Sequence, residues 1–169
     1  LLHVNSSALH LLIILLSFLL GAAISGYLVE NTALRLGRHY SSALIIESLF
    51  LLLAMLALKH NSINGHYLAS AACGLQNALV TTYSGAVIRT THVTGIFTDL
   101  GIMLCSKFRG KKFDNRKAIL YLLIISGFIL GGTIGALLFD RFGFNALTVP
   151  AMMAMLLAVT YWHYAREKL

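Results

Sequence analysis

Charge is what this sequence has least of. Only 11% of its 169 residues are charged, 58% are hydrophobic, and the mean hydropathy is +0.80. Soluble domains are nearer a quarter charged, so the shortage excludes an ordinary water-soluble globule and places the chain in a membrane. Cysteine is scarce as well. Cys73 and Cys105 sit in or near apolar segments without metal-type spacing, which excludes a disulfide framework and a thiolate metal site. Acidic residues are few, six against thirteen Lys and Arg, leaving a formal charge of +7. Six of the thirteen cations fall between Lys107 and Lys117, in a loop between apolar runs. That is a cytoplasmic-loop signature rather than a basic face spread for a phosphate backbone, so nucleic acid is not an expected partner. Catalytic patterns are missing too. Ser84 is not in a Gly-x-Ser-x-Gly elbow, and neither a phosphate loop nor a dinucleotide glycine pattern occurs. No enzyme and no cofactor is expected; a membrane enzyme would need His92 and Asp99 as a competent pair facing a cavity. The chain starts at Leu1 with no basic n-region or cleavage site, and is expected to lack the beginning of a longer protein.

What is present is a polar stretch inside an apolar chain. Gly74 to Gly101 holds amide, hydroxyl, imidazole, guanidinium and carboxylate side chains together with four glycines. Each unsatisfied polar group in lipid costs several kcal/mol, so this stretch must face protein or a water-filled cavity. Around it lie apolar runs at Ala8–Val29, Ser41–Leu58, Tyr67–Thr82, Ala118–Phe139 and Asn145–Tyr164. Lys59–His66 reads as a polar turn containing Asn-Gly, and Asp140–Gly143 as the break between the last two spans. Between Tyr83 and Thr94 the pattern breaks, and Ile96–Ser106 resumes as a half-length helix. A helix of that length fits a re-entrant segment or half of a discontinuous helix.

An internal repeat underlies this order. At an offset of 110 residues, Phe18-Leu19-Leu20-Gly21 meets Phe128-Ile129-Leu130-Gly131, and Ser17, Gly21 and Ser25 fall on Gly127, Gly131 and Gly135. Residues 1–59 then read as the back of one copy, with two spans, and 60–169 as a complete second copy. The expected fold is an all-α polytopic bundle with a three-helix repeat. If the polar region makes one net crossing the copies are inverted; if it makes two they are parallel. The positive-inside rule favours inversion, with Arg35, Arg38, the 107–117 loop and the C-terminus on the cytoplasmic side.

Candidate functional residues follow from position. Gln76, Asn77, Tyr83, Arg89, Thr91, His92, Thr94, Thr98 and Asp99 are the expected solute-binding set in and beside the helix break. Backbone N–H groups at the start of the half-helix, beside Arg89, favour an anion, whereas Asp99 pairing with Arg89 or His92 cancels that preference. No metal is expected, because His92 and Asp99 have no further ligands at helical spacing. Glu47, two turns into an apolar span, is either proton-linked or merely solvated near the interface. The repeat gives it Leu157 as its equivalent. The stripes Ser17/Gly21/Ser25 and Gly127/Gly131/Gly135 are read as helix-packing faces, where the helices of the two copies meet; the alternatives are a subunit contact in a homo-oligomer or the lining of a narrow pore.

The combination Gly74-Leu75-Gln76-Asn77-Ala78, Thr90-Thr91-His92-Val93-Thr94-Gly95-x-x-Thr98-x-Leu100-Gly101 and a Phe-x-Leu-Gly-x-x-x-Gly helix resembles the YoaK-like family of bacterial multi-pass membrane proteins. The resemblance implies an inner-membrane protein of about six spans, often labelled a small-molecule permease without an established substrate. Family members begin with a helix and a Thr-Gly-Asn-Thr motif that this chain lacks, and they supply no catalytic residues to carry over. The expectation is therefore a permease for a small polar or anionic solute, with the lipid bilayer as its other partner. The alternative is a scaffold or sensor whose polar core only joins helices.

Overall fold

The computed structural model describes residues 2–29, 38–83, 93–110 and 113–167. Those residues form six α-helices: α1 (Leu2–Leu28), α2 (Arg38–Lys59), α3 (Asn64–Tyr83), α4 (Val93–Phe108), α5 (Asn115–Phe142) and α6 (Thr148–Glu167). A 3-10 turn, Gly143–Leu147, joins the last two. No strand occurs among the described residues. Such a composition leads to helices for a simple reason: in a hydrocarbon phase the helix satisfies its own backbone N–H and C=O groups. Three segments are long and apolar enough to cross a membrane: Ser7–Leu28, Tyr40–Lys59, and Asn115–Arg166, which contains both α5 and α6. The single proline, Pro150, lies in the first turn of α6, where a backbone N–H has no intrahelical partner to lose.

The chain divides into two compact units, residues 1–88 with 142–169, and residues 89–141. In the first unit α2 is the central element, packed by α3 and by α6, while α1 packs mainly on α3. The order of contacts gives each direction. Ala54 and Leu58 of α2 meet Gly65, Leu51 clusters with Ala72, and Ala43 and Leu44 cluster with Leu75 and Leu79, so α2 and α3 run antiparallel. Tyr40 meets Tyr161 with ring centroids 4.8 Å apart, while the Ser48 hydroxyl donates to the Ala151 carbonyl at 2.8 Å. Thus α2 and α6 are antiparallel as well. Along α1, His10 contacts Tyr67, Ile14 contacts Ser70 and Phe18 contacts Gly74, which makes α1 and α3 parallel.

Two glycines set the α1–α3 distance. A Cβ on Gly21 would stand 2.7 Å from the Ala71 carbonyl carbon, and one on Gly74 would stand 2.8 Å from that of Phe18. Both obstacles are backbone, so the helices touch main chain to main chain, which only glycine permits. The opposite face of α1, with Leu9, Leu12, Leu16, Leu19 and Leu20, is exposed in the way a lipid-facing surface is.

Several expected boundaries shift. The polar turn is shorter than Lys59–His66, because Asn61 closes α2 in the left-handed region (φ 54°) with a 6→1 bond from the Ser62 N–H to the Ala57 carbonyl. Asn64, Gly65 and His66 already belong to α3. Gly65 serves close approach to Ala54 and Leu58 rather than a turn. Asp140, Arg141 and Phe142 continue α5, and the break falls at Gly143, whose φ of 56° no side chain readily adopts.

In the second unit α4 packs on α5. Ile96, with Val93, Leu100 and Met103 around it, meets Tyr121, Ile124 and Ile125. With 16 residues α4 is about 24 Å long at 1.5 Å per residue, short of a hydrocarbon core of about 30 Å.

Candidate functional site

The most unusual side chain in the first unit is Glu47. It sits on α2 among Ile46, Ser48 and Leu44, is only 5% exposed, and its Oε2 has no hydrogen-bond partner among the described residues. No cation pairs with it among the described residues. The helix places it there by register. Ala43, Glu47, Ala54 and Leu58 recur at four- and seven-residue spacing on the side that meets α3, where Cys73 comes within electrostatic reach of the carboxylate. Ser48 and Ser41, seven apart, share a different buried face, and Ser48 uses its hydroxyl on Ala151 of α6.

Two further buried oxygens have no partner among the described residues: the hydroxyls of Ser41 on α2 and Ser25 on α1, both 0% exposed. Buried polar groups in proteins are nearly always hydrogen-bonded, and each exception calls for a reason. All three lie in the first unit, Ser25 near the end of α1, Ser41 in the first turn of α2 and Glu47 nearer its middle.

The polar end of α3 is less concentrated than its composition implies. Gln76 is exposed, Asn77 is half-buried, and the Thr81 hydroxyl donates to the Asn77 carbonyl of its own helix at 2.7 Å. Tyr83 is the last residue of α3, and its side chain lies outside the described residues, as do Arg89, Thr91 and His92 entirely. The rest of the expected binding set is in the second unit. Thr94 and Thr98 are exposed on α4, and the Thr98 hydroxyl donates to the Thr94 carbonyl at 3.0 Å.

Asp99 has a partner that sequence reasoning missed. Tyr121 of α5, only 4% exposed, donates its phenolic hydroxyl to Asp99 Oδ2 at 2.8 Å. Lys117, one turn earlier on α5, lies with its ammonium 5.5 Å from the Tyr121 ring centre. The Asp99–Tyr121 bond holds α4 to α5 beside the Ile96–Ile125 cluster. A tyrosine among the leucines and isoleucines of an apolar helix was the available signal, since a buried phenol needs a partner.

The small-residue stripes also separate. Gly21 and Ser25 are buried, with Gly21 against α3, and Ser17 is half-buried with its hydroxyl on its own Ile13 carbonyl. Gly127, Gly131 and Gly135 are exposed, with nothing within 4 Å of a Cβ placed on any of them. At the far end of the α1–α3 pair, His10 shares a 3.0 Å hydrogen bond with Tyr67 and stacks edge-on against His66. Sequence spacing across 56 residues gave no hint of it. No group of three potential metal ligands occurs among the described residues.

Residues 1–160 match the profile of a family described as "Protein of unknown function (DUF1275)", and the chain belongs to that family. No curated protein and no solved structure matches it.

Proposed function

We propose that this DUF1275 chain is part of a multi-pass permease of the bacterial inner membrane that moves a small polar or anionic solute. The observation that carries the reading is Glu47: a carboxylate buried inside an apolar helix of span length, with one oxygen unpaired among the described residues. Ionisable groups inside spans are expensive and mark ion or substrate paths. A structural glutamate would have acquired a cation or a donor, as Asp99 acquired Tyr121. In this reading Glu47 binds a proton or a coupling cation. The residues proposed to contact solute are those expected from the sequence: Gln76, Asn77 and Tyr83 in the first unit, and Arg89, Thr91, His92, Thr94, Thr98 and Asp99 in the second.

The halves are inverted repeats in the same proposal. Residues of α2 correspond to those of α6 at the 110-residue offset, and the antiparallel packing of those two helices is what a two-fold axis between them requires. The basic 107–117 loop and the C-terminus lie on the cytoplasmic side.

A second reading has an observation in its favour. The hydroxyls of Ser17, Thr81, Thr98 and Thr160 are all bonded to carbonyls of their own helices, and Ser70 to Ile14 of α1, as in a scaffold whose polar residues only hold helices. The two are separated by a thermal-shift screen of the purified protein against small anions, sugars and amino acids, followed by flux into proteoliposomes. A ligand at about 100 times its Kd adds about 2.7 kcal/mol of stability. The permease reading expects such a ligand, its effect lost in Gln76→Ala and its flux lost in Glu47→Gln with the fold intact. Stabilisation by nothing, with both variants merely less stable, would leave the scaffold.

A further inference from the structure

The second unit carries a surface that solute transport does not use. Helix α4 ends at Phe108 and is closed by Gly110 in the left-handed region (φ 74°), with the Gly110 N–H on the Lys107 carbonyl at 3.0 Å. Helix α5 begins at Asn115, and the Asp114 carboxylate caps it by accepting the Lys117 backbone N–H at 3.1 Å. Asp114 is the one acidic residue between Lys107 and Lys117, against six cations, and it is engaged in that cap. Of the described cations, Lys107 lies over the Phe113 ring at 5.0 Å and Lys117 over Tyr121, while Arg109 and Arg116 are exposed and meet no carboxylate among the described residues.

Beside this charge stands an apolar group in the open. Phe108 is 90% exposed, and it ends an exposed α4 stripe that includes Phe97 and Leu104, three and four residues apart along the helix with Gly101 between them. The other face of α4 is taken by Tyr121 and Ile125. A helix with one face packed, one face apolar and open, and guanidinium groups at its end fits a water–lipid boundary.

We propose that Arg109, just past the end of α4, and Arg116, in the first turn of α5, bind the headgroup of an anionic glycerophospholipid, such as phosphatidylglycerol. Arg109 and Arg116 hold the phosphodiester, and Phe108 inserts among the acyl chains beneath it. Guanidinium suits the site because it is weakly hydrated and presents paired donors to phosphate oxygens. The open Phe108 stripe commits the occupant to a lipid rather than a free phosphate, which offers nothing for that face. The proposal rests on membrane embedding alone and stands or falls independently of transport.

The test is competition for fluorescently labelled phosphatidylglycerol on the purified full chain in mild detergent, against unlabelled phosphatidylglycerol, phosphatidylcholine or inorganic phosphate. Each cation facing an anionic lipid surface contributes a factor of about five in affinity. The full chain is expected to prefer phosphatidylglycerol over phosphatidylcholine. Arg109→Gln and Arg116→Gln should each lower that preference about fivefold. Arg141→Gln, at the far end of α5, should leave it unchanged, and Phe108→Ser should weaken both lipids alike. Arg109→Lys, retaining the charge, recovers part of the preference and guards against a variant that fails to fold. Equal affinity for the two lipids, or glutamine variants that bind like the parent, overturns the proposal. So does displacement of the labelled lipid by inorganic phosphate, which would make the site one for a free anion.

Discussion

Replacing Gly21 by alanine should destabilise the protein, and replacing Gly131 by alanine should not, although the two positions align in sequence at the 110-residue offset. At Gly21 the added Cβ falls 2.7 Å from the carbonyl carbon and 2.9 Å from the Cα of Ala71. Neither atom can rotate aside, so α1 and α3 must separate, and a gap of 0.5–1 Å forfeits roughly a quarter to a half of each contact along the seam. Overpacking costs about 1–3 kcal/mol, and backbone obstacles argue for the upper end. Alanine returns roughly 1 kcal/mol of helix propensity, for a net loss of about 2 kcal/mol. At Gly131 nothing stands within 4 Å, so the propensity gain is left alone and the sign reverses. Gly74→Ala should match Gly21→Ala, and the double variant should lose less than the sum, because both substitutions push apart the same pair of helices. Reversible denaturation followed by far-UV circular dichroism reads all four. If Gly21→Ala is as stable as the parent, the main-chain contact between α1 and α3 is refuted. If Gly131→Ala loses as much as Gly21→Ala, the α5 glycine face is covered in the membrane.

Other outcomes follow from single contacts. Ser48→Ala removes the bond to Ala151 that links α2 to α6 and should cost about 1 kcal/mol by the same denaturation measurement, with no loss in a variant of exposed Thr160. Asn61→Ala should cost about 1 kcal/mol, because φ is 54° there, whereas Asn61→Gly should be neutral or stabilising; equal effects would show that the turn relaxes. Cys73 and Cys105 are free and exposed, but maleimide takes the thiolate, which an apolar surrounding suppresses, so Cys105, three residues from the end of α4, should react ahead of Cys73 at the middle of α3, as mass spectrometry would count. Equal rates at the two would show that Cys73 meets water.

Much of the helical layout was legible in the sequence because hydropathy acts locally: apolar runs of span length become helices whatever surrounds them. What the runs could not supply was the partner of each face. Ser17, Gly21 and Ser25 show the small-residue spacing of a contact, yet nothing in their order distinguishes α3 from α5 as the helix they meet. The Asn64-Gly65 pair illustrates the same limit. As a dipeptide it signals a turn, but Gly65 is glycine because Ala54 and Leu58 press on it from α2, and the turn is closed by Asn61 instead. Local chemistry was ambiguous there, and a contact distant in space decided it. Asp99 was read against charged neighbours in sequence, Arg89 and His92, when its described partner is a phenol 22 residues away.

The position of α2 ties these observations together. It is the helix with α3 on one side and α6 on the other, and it carries the buried Glu47, where the residue 110 positions on in α6 is Leu157. A carboxylate on one helix of a packed pair and a leucine at the aligned position of the other make the two unequal in energy. In α6 the exposed Leu157 costs nothing toward lipid, whereas in α2 the carboxylate is turned to the α3 side and kept there without a counter-charge among the described residues. Packing alone would favour a leucine at both places, as core redesigns that replace buried charge by apolar groups often gain stability. Glu47→Leu should therefore raise the denaturation midpoint while abolishing any proton- or cation-dependent flux. A variant that is less stable than the parent would show the carboxylate to be a structural element of the α2–α3 contact.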